Sequence, residues 1–335
     1  MKTTGFVALY FVTLFSIAST YAVTIPTVPI GNPGNLADTR YDANGIGSVP
    51  HSFRMSKTEV TNAQYVEFLN AVGASDLHGL YNPNMSSSVL GGIIRTSSAG
   101  NYTYSVKPAA VGQGPGGTDY TYGGKPVVFV SWFDAIRFAN WLHNRQGNGD
   151  TETGAYTLLG GTPIPSNADI ITRNSDARWW LPSENEWYKA AYYDPDAGVY
   201  YDYPTGTNSV PNNSLPSADT GNSANFLLGA LTDAGAYTLS GSPNGTFDQG
   251  GNVKEWTENI IGNFGNPSGT VRGGSWRINI NFMRASSRES HNLTDAYDWL
   301  GFRVASIPEP NTLLLLALGG LTLLFRRINP AARWG

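Results

Sequence analysis

The sequence predicts a mixed α+β domain, irregular and rich in loops, with about three helices pinned onto short strands. Three observations carry that reading. Charged residues make up only 14% of the 335 residues, while Gly numbers 39, Tyr 18 and Trp 9; low charge with many aromatics excludes a disordered chain, and frequent glycine marks turns. Three Ser/Thr residues, each followed three positions later by Gln, Asp or Glu, open apolar-periodic stretches as capping boxes. Finally, the run from Asp248 to Ala305 holds DQGGNVKEWTEN, VRGGSW and GFRVAS, in which glycine doublets stand beside indoles and no amphipathic period appears. Glycine permits backbone conformations that other residues resist, and an indole adds a rigid surface with one polar handle. That combination builds a firm irregular core. A chain this long buries roughly 75% of its unfolded surface and needs no staples. It has no cysteine, which excludes disulfides, thiolate nucleophiles and sulfur-ligated metals.

In chain order, Lys2, an apolar stretch from Gly5 to Ala18 and the small-residue site Thr20-Tyr21-Ala22 have the three-part form of a secretory signal over residues 1–22. The stretch falls short of the ~20 residues that span a bilayer. Residues 23–50, rich in Pro, Gly and Asn, read as an extended lead-in to a domain at 51–306. Ser52 to Val60 alternates like a strand, and Thr61 then caps a helix with Gln64 closing the box and Tyr65, Phe68, Leu69 and Val72 on its apolar face. Gly73 to Lys125 is polar and rich in Gly and Tyr, with strands expected around Ile93 and Tyr102; it reads as an insertion on one surface. Pro126 to Val130 reads as a buried strand. Ser131 caps the second helix with Asp134, and Ile136, Phe138, Ala139, Trp141 and Leu142 form its apolar face. Ser183 caps the third with Glu186, and Asp194-Pro195 stops it. GAYTLLG at Gly154 recurs as GAYTLSG at Gly235, an echo that reads as two similar strand ends.

The tail, 307–335, runs Ile307-Pro308-Glu309-Pro310, an apolar segment from Leu313 to Phe325, then Arg326-Arg327. Its apolar segment makes roughly 20 Å of helix, a marginal span that implies at most transient membrane association. Four of the 21 basic residues sit at the two ends, so the body between them is more acidic than the formal charge of −4. Nucleic acid, which asks for clustered Lys and Arg, is excluded as a partner. The four histidines are scattered without metal spacing, and neither a G-x-S-x-G elbow nor a P-loop occurs.

Four blocks, KTEVTNAQYVEFLN, PVVFVSWFDAIRFANWL, RWWLPSENEWYKAAYY and the terminal GGNVKEWTEN–VRGGSW–GFRVA series, together resemble the sulfatase-modifying-factor, or formylglycine-generating-enzyme, family. They span Lys57 to Ala305. The resemblance implies an irregular α+β fold related to C-type lectins. It also implies a calcium ion under the glycine turn, held by the side chains of Asp248 and Glu255 and the carbonyls of Gly251 and Val253. Hard oxygen donors of this kind suit Ca²⁺; the alternative is that both carboxylates cap turns or pair with arginines. A second family calcium site would begin at Asn225-Phe226, but the acidic loop that completes it is shortened. The tail is similar to the PEP-CTERM sorting signal, which implies exosortase-type processing, export, and delivery to the envelope, surface or matrix of a Gram-negative-type bacterium.

Catalytic members of that family oxidise a substrate cysteine with two copper-binding cysteines. Here Ile278 stands at the first and the second has no counterpart; Lys254 replaces a tryptophan bordering that site, and Ser275 remains. Without thiolates there is no soft ligand for Cu(I), so neither copper nor formylglycine formation is expected. The expected function is a non-catalytic surface or matrix binding module, with a cysteine-independent enzyme of the same fold and a purely structural matrix protein as the alternatives. Ser275, Lys254, Trp276, Arg277, Arg284 and Arg288 are the candidate cleft residues for an unidentified polar, glycan or peptide ligand, since arginine with aromatics is typical of recognition surfaces. The competing role of each arginine is to hold loops through Asp and Glu.

Overall fold

The computed structural model describes residues 22–263 and 265–308. The signal segment before Ala22 and the tail beyond Pro308 lie outside the described residues. In chain order the elements are β1 (Thr27–Ile30), β2 (Phe53–Ser56), α1 (Asn62–Val72), the single turn α2 (Asn84–Ser87), β3 (Ile93–Thr96), β4 (Thr103–Val106) and α3 (Trp132–His143). There follow β5 (Trp179–Trp180), α4 (Glu184–Tyr192), β6 (Tyr193–Asp194), β7 (Val199–Tyr200), β8 (Lys254–Asn263), β9 (Asn266–Arg272), β10 (Glu289–Asn292), β11 (Leu300–Phe302) and β12 (Ala305–Ser306).

The three capping boxes form as expected. In each, the hydroxyl of Thr61, Ser131 or Ser183 accepts from the third helical N–H while the side chain at that position accepts from the cap's own N–H. Two N–H groups that a helix start leaves unpaired are thus satisfied. The helix α3 departs from a one-faced pattern, because every residue from Trp132 to Leu142 is buried. Its polar members are satisfied within the fold: Arg137 pairs with Glu152 at 2.7 Å, and Asn140 donates to Thr151 O at 2.8 Å and accepts from Tyr156 N at 2.7 Å. Burial of such groups requires partners.

Two four-stranded sheets organise the body, with orders β1-β2-β12-β5 and β10-β9-β8-β11. The first joins the two ends of the domain, since Ala305 pairs with Met55 on one side and Trp180 on the other. Its edge strand β1 comes from the segment expected to be a lead-in. In the second, β8 and β9 form a hairpin with a bulge between Trp256 and Ile260, and β11 runs parallel to β8 with Leu300 opposite Lys254. Rings from α1, α3 and β11 meet in the main core: Phe138 lies 5.3 Å from Phe68 and 5.4 Å from Phe302. Edge-to-face packing at such distances suits aromatic quadrupoles.

The segment 73–125 is packed more closely than a surface insertion. Tyr81, Met85, Ile93 and Tyr104 are buried, and Asn70 of α1 exchanges two 2.9 Å hydrogen bonds with the backbone of Tyr104, sealing the edge of the β3–β4 hairpin. Residues 126–130 are buried but make only one bridge, Thr61 to Pro126. Phe129 takes a φ of 62°, which turns the chain and sends its N–H to Tyr297 O rather than along a ladder. The two GAYTL segments are not matching strand ends either. Tyr156 makes an isolated bridge to Arg173, and the second copy lies in turns.

Candidate functional site

The turn before β8 is built by backbone strain placed where glycine and short polar residues tolerate it. Asp248, Gly251 and Asn252 have φ of 59°, 89° and 55°, and Gly273 and Gly274 have 104° and 72°. A β-carbon at Gly251 would collide with the Asn225 carbonyl, so this doublet is a steric requirement. The Gly251 N–H donates to Gly273 O at 2.7 Å and the Trp276 N–H to Asn252 O at 2.8 Å, while the Lys254 N–H reaches Trp299 O at 2.9 Å. The three glycine-and-tryptophan segments therefore converge. Beneath them the Asn252 side chain donates to Glu59 Oε1 and accepts from Asn225 Nδ2, both at 3.0 Å.

Asp248, Gly251, Val253 and Glu255 line one turn, but the donors as arranged do not fit a calcium ion. Both Glu255 oxygens are taken. Arg303 donates from Nε to Oε2 at 2.5 Å and from Nη2 to Oε1 at 2.7 Å, and the Trp187 indole adds a 2.6 Å bond to Oε2. Arg303 and Glu255 are both fully buried, so a guanidinium supplies the positive charge that an ion would bring. Asp248 accepts from Gly235 N at 2.5 Å, and burial pushes its carboxyl up to about 6. Burial, with Asp248 and Glu255 nearby, holds Glu59 well above the usual carboxylate range, so the cluster balances one cation with few ionised acids. Asn225 is drawn into the same hub through Ala230 O, Thr232 and Asn252, and its Oδ1 is buried without a partner. Among the described residues no group of three or more His, Asp or Glu is placed to hold a metal.

The six candidate cleft residues divide into two groups. Lys254, Ser275, Trp276 and Arg277 lie around the converged turns. Ser275 is fully buried and its hydroxyl has no hydrogen-bond partner among the described residues. Lys254 is 6% exposed and pairs with Glu289 at 2.6 Å over the Trp299 ring. Trp276 and Arg277 remain accessible: the indole donates to Asp298 O, and the half-exposed guanidinium pairs with Asp298 at 3.2 Å. Arg284 and Arg288 instead serve the α4 side. Arg284 bonds to Tyr203 at 2.8 Å, and Arg288 shares Glu184 with the buried Arg272, each at 2.7 Å.

Sequence reasoning places Trp299 near this segment but misses Tyr297 and His291, which complete the first group. Tyr297 stacks on Trp299 at 4.7 Å and 13°, His291 tilts against Trp299 at 5.1 Å, and Tyr297 is 40% exposed. Burial first, then Lys254, keeps the His291 ring below its ordinary pKa. Residues 297–300 form a turn closed by the Leu300 N–H donating to Tyr297 O at 3.3 Å, so the stacking of the two rings had no periodic signal in the sequence. A separate cavity of about 450 Å³ lies between residues 116–125, 215–217 and 231–236, where Lys125 pairs with Asp233 at 2.8 Å.

Comparison with known proteins bears on this arrangement. The model of the sulfatase-modifying factor enzyme 1-like domain matches residues 29–307, and the PEP-CTERM protein-sorting motif matches residues 306–328. No curated protein matches the chain. Among solved structures, CarF is similar at 22% identity, with a TM-score of 0.53, over 85% of this chain and 99% of its own. Treponema denticola variable protein 1 is similar at 20% identity, with a TM-score of 0.51, over 84% of this chain and 95% of its own. Likeness at these identities speaks for the fold.

Proposed function

The chain belongs to the sulfatase-modifying factor enzyme 1-like family and carries a PEP-CTERM sorting motif, and from that premise we propose that it is a non-catalytic binding module displayed at the cell surface or in its matrix. The motif implies export, exosortase recognition and sorting to the envelope of a Gram-negative bacterium. The family fold, an irregular α+β arrangement related to C-type lectins, is present. The chemistry is not. With no cysteine in the chain and Ile278 at the first catalytic position, there is no thiolate to bind copper or to meet a substrate thiol.

One observation carries the proposal. Over the converged glycine turns stand the Tyr297–Trp299 stack and Trp276, with the half-exposed Arg277–Asp298 pair at their rim. Flat aromatic faces take the apolar face of a sugar or of a peptide side chain, and the adjacent guanidinium and carboxylate fix orientation through hydrogen bonds. Within the site Trp276 and Tyr297 supply contact area and Arg277 and Asp298 supply polarity. Lys254 and Ser275 shape the floor beneath.

A screen of the exported body against glycan and peptide arrays tests this. Binding to a polar ligand is expected, weakened about fivefold by Tyr297→Ala, which removes roughly 1 kcal/mol of aromatic contact, with the melting temperature held. Aldehyde formation on a cysteine peptide with added copper would overturn the non-catalytic reading. Ligand binding unaffected by Tyr297→Ala and Arg277→Ala would remove the platform from it.

A further inference from the structure

The start of the domain is held in an unusual way. The Gln146 side-chain amide pairs with the backbone of Val23 on both sides: Val23 N–H donates to Oε1 at 2.6 Å and Nε2 donates to Val23 O at 2.9 Å. One side chain thus stands in for a neighbouring strand. Gln146 is itself fixed, because its N–H donates to Trp141 O at 2.9 Å at the end of α3. Arg145 and Gln146 take successive positive φ of 65° and 64°, a conformation that L residues adopt at a cost. The chain then continues with Thr24 O accepting from Gln64 at 3.0 Å and with Val23 and Ile25 packed against the main core.

Immediately beside Val23 is a cavity of about 710 Å³, lined by Ala22, Glu67, Asn70, Trp141 and Arg145 among others. Its wall thus includes the last residue of the segment with the form of a secretory signal, and the first clamped residue is the one after it. We infer that Val23 is the N-terminus of the mature protein and that Gln146 and this cavity form a seat for its α-ammonium group. Peptide hydrolysis between Ala22 and Val23 adds one water, leaving a carboxylate on the released segment and a new ammonium on Val23. That ammonium presents three donors. Gln146 Oε1 already takes one of them, and the cavity provides the Glu67 carboxylate and room for water to take the rest. Before cleavage the same nitrogen has one donor, and Ala22 takes space in the cavity. The seat therefore suits the processed end, and docking it ties the N-terminus to the end of α3.

This inference rests on the export reading, and the test separates the two. The full chain is produced in a Gram-negative host, and the N-terminus of the exported protein is determined by intact mass and sequencing, with Val23 expected. The rate at which an amine-reactive ester acylates the α-amine is then compared between wild type, Gln146→Leu and Gln146→Glu. The seated amine should react several-fold more slowly in wild type than in Gln146→Leu. Gln146→Glu, which adds a carboxylate at the same reach, should retain protection and a melting temperature at or above wild type. Should the leucine variant fail to fold, the wild-type rate is compared with that of a free peptide beginning at Val23, several-fold slower acylation being expected in the protein and an equal rate overturning the seat. A precursor that stays intact would overturn the export reading and the seat with it. A first residue other than Val23, or equal acylation rates in all three proteins, would overturn the seat alone.

Discussion

Arg303→Met removes the cation that pairs with Glu255 in a cluster of three buried carboxyl groups, Glu59, Asp248 and Glu255. The wild-type guanidinium makes two bonds to Glu255, at 2.5 and 2.7 Å, and donates to Phe247 O at 2.8 Å and Ser56 O at 3.1 Å. Methionine matches much of the volume and none of the donors. Glu255 would be left fully buried with the Trp187 indole, and two carbonyls would lose a partner. Removing one member of a buried pair costs about 3–5 kcal/mol, which for a domain of this size lowers the Tm by roughly 10 °C. Denaturant unfolding followed by tryptophan fluorescence reads the loss directly, with Trp187 in contact with the site. Glu255→Gln added to Arg303→Met should recover part of it, since the stranded charge is then gone. EDTA should leave the wild-type Tm unchanged, because arginine already neutralises Glu255. A loss below about 1 kcal/mol in Arg303→Met, or a Tm that falls with EDTA and is restored by calcium, would refute this reasoning. The turn would then be a cation site.

Burial raises Asp134 to about 7 and Glu258 to about 7; both groups bind protons more tightly folded than unfolded, so they favour folding at low pH and lose that contribution as pH rises through 7. Glu186 is held down at about 2, against its own burial, by His51, Arg173 and Ser183, so its contribution is present above 4.5 and lost as pH falls toward 2. The two losses begin at the unfolded carboxylate pKa of about 4 and the gain from Glu186 ends there, so chemical denaturation across pH should place maximum stability at about pH 4, and a steady rise to pH 8 would contradict it. Gly251→Ala forces a β-carbon onto Asn225 O at a φ of 89°, so it should cost upwards of about 2 kcal/mol and abolish platform binding; a native melt would show that the turn can relax. Replacing Pro308-Glu309-Pro310 with alanines should stop tail processing and leave the chain in the inner membrane, measured by fractionation and immunoblot, with normal surface amounts as the opposing result.

Some of this protein is legible from residues alone because the physics is local. A capping box needs only a hydroxyl and an acceptor three residues on, so Thr61, Ser131 and Ser183 announce their helices. The glycine doublets at 250–251 and 273–274 announce turns because side chains are barred there, and the tail announces an address through the order of its motif. The absence of cysteine is legible without coordinates and supports the proposal that the family's thiolate chemistry is lost. What sequence cannot carry is which charge meets which. Glu255 lies 48 residues from Arg303 and Lys254 lies 35 from Glu289, and those pairings arise only when β11 docks parallel to β8 and β10 closes on β9. The same closure buries Ser275, pairs Lys254 with Glu289, and stacks Tyr297 on Trp299. It also separates Arg284 and Arg288 from Arg277, although all three are near in sequence. Local backbone chemistry is written in short spacings, whereas burial and ion pairing depend on the whole chain's packing, and only tertiary structure decides them.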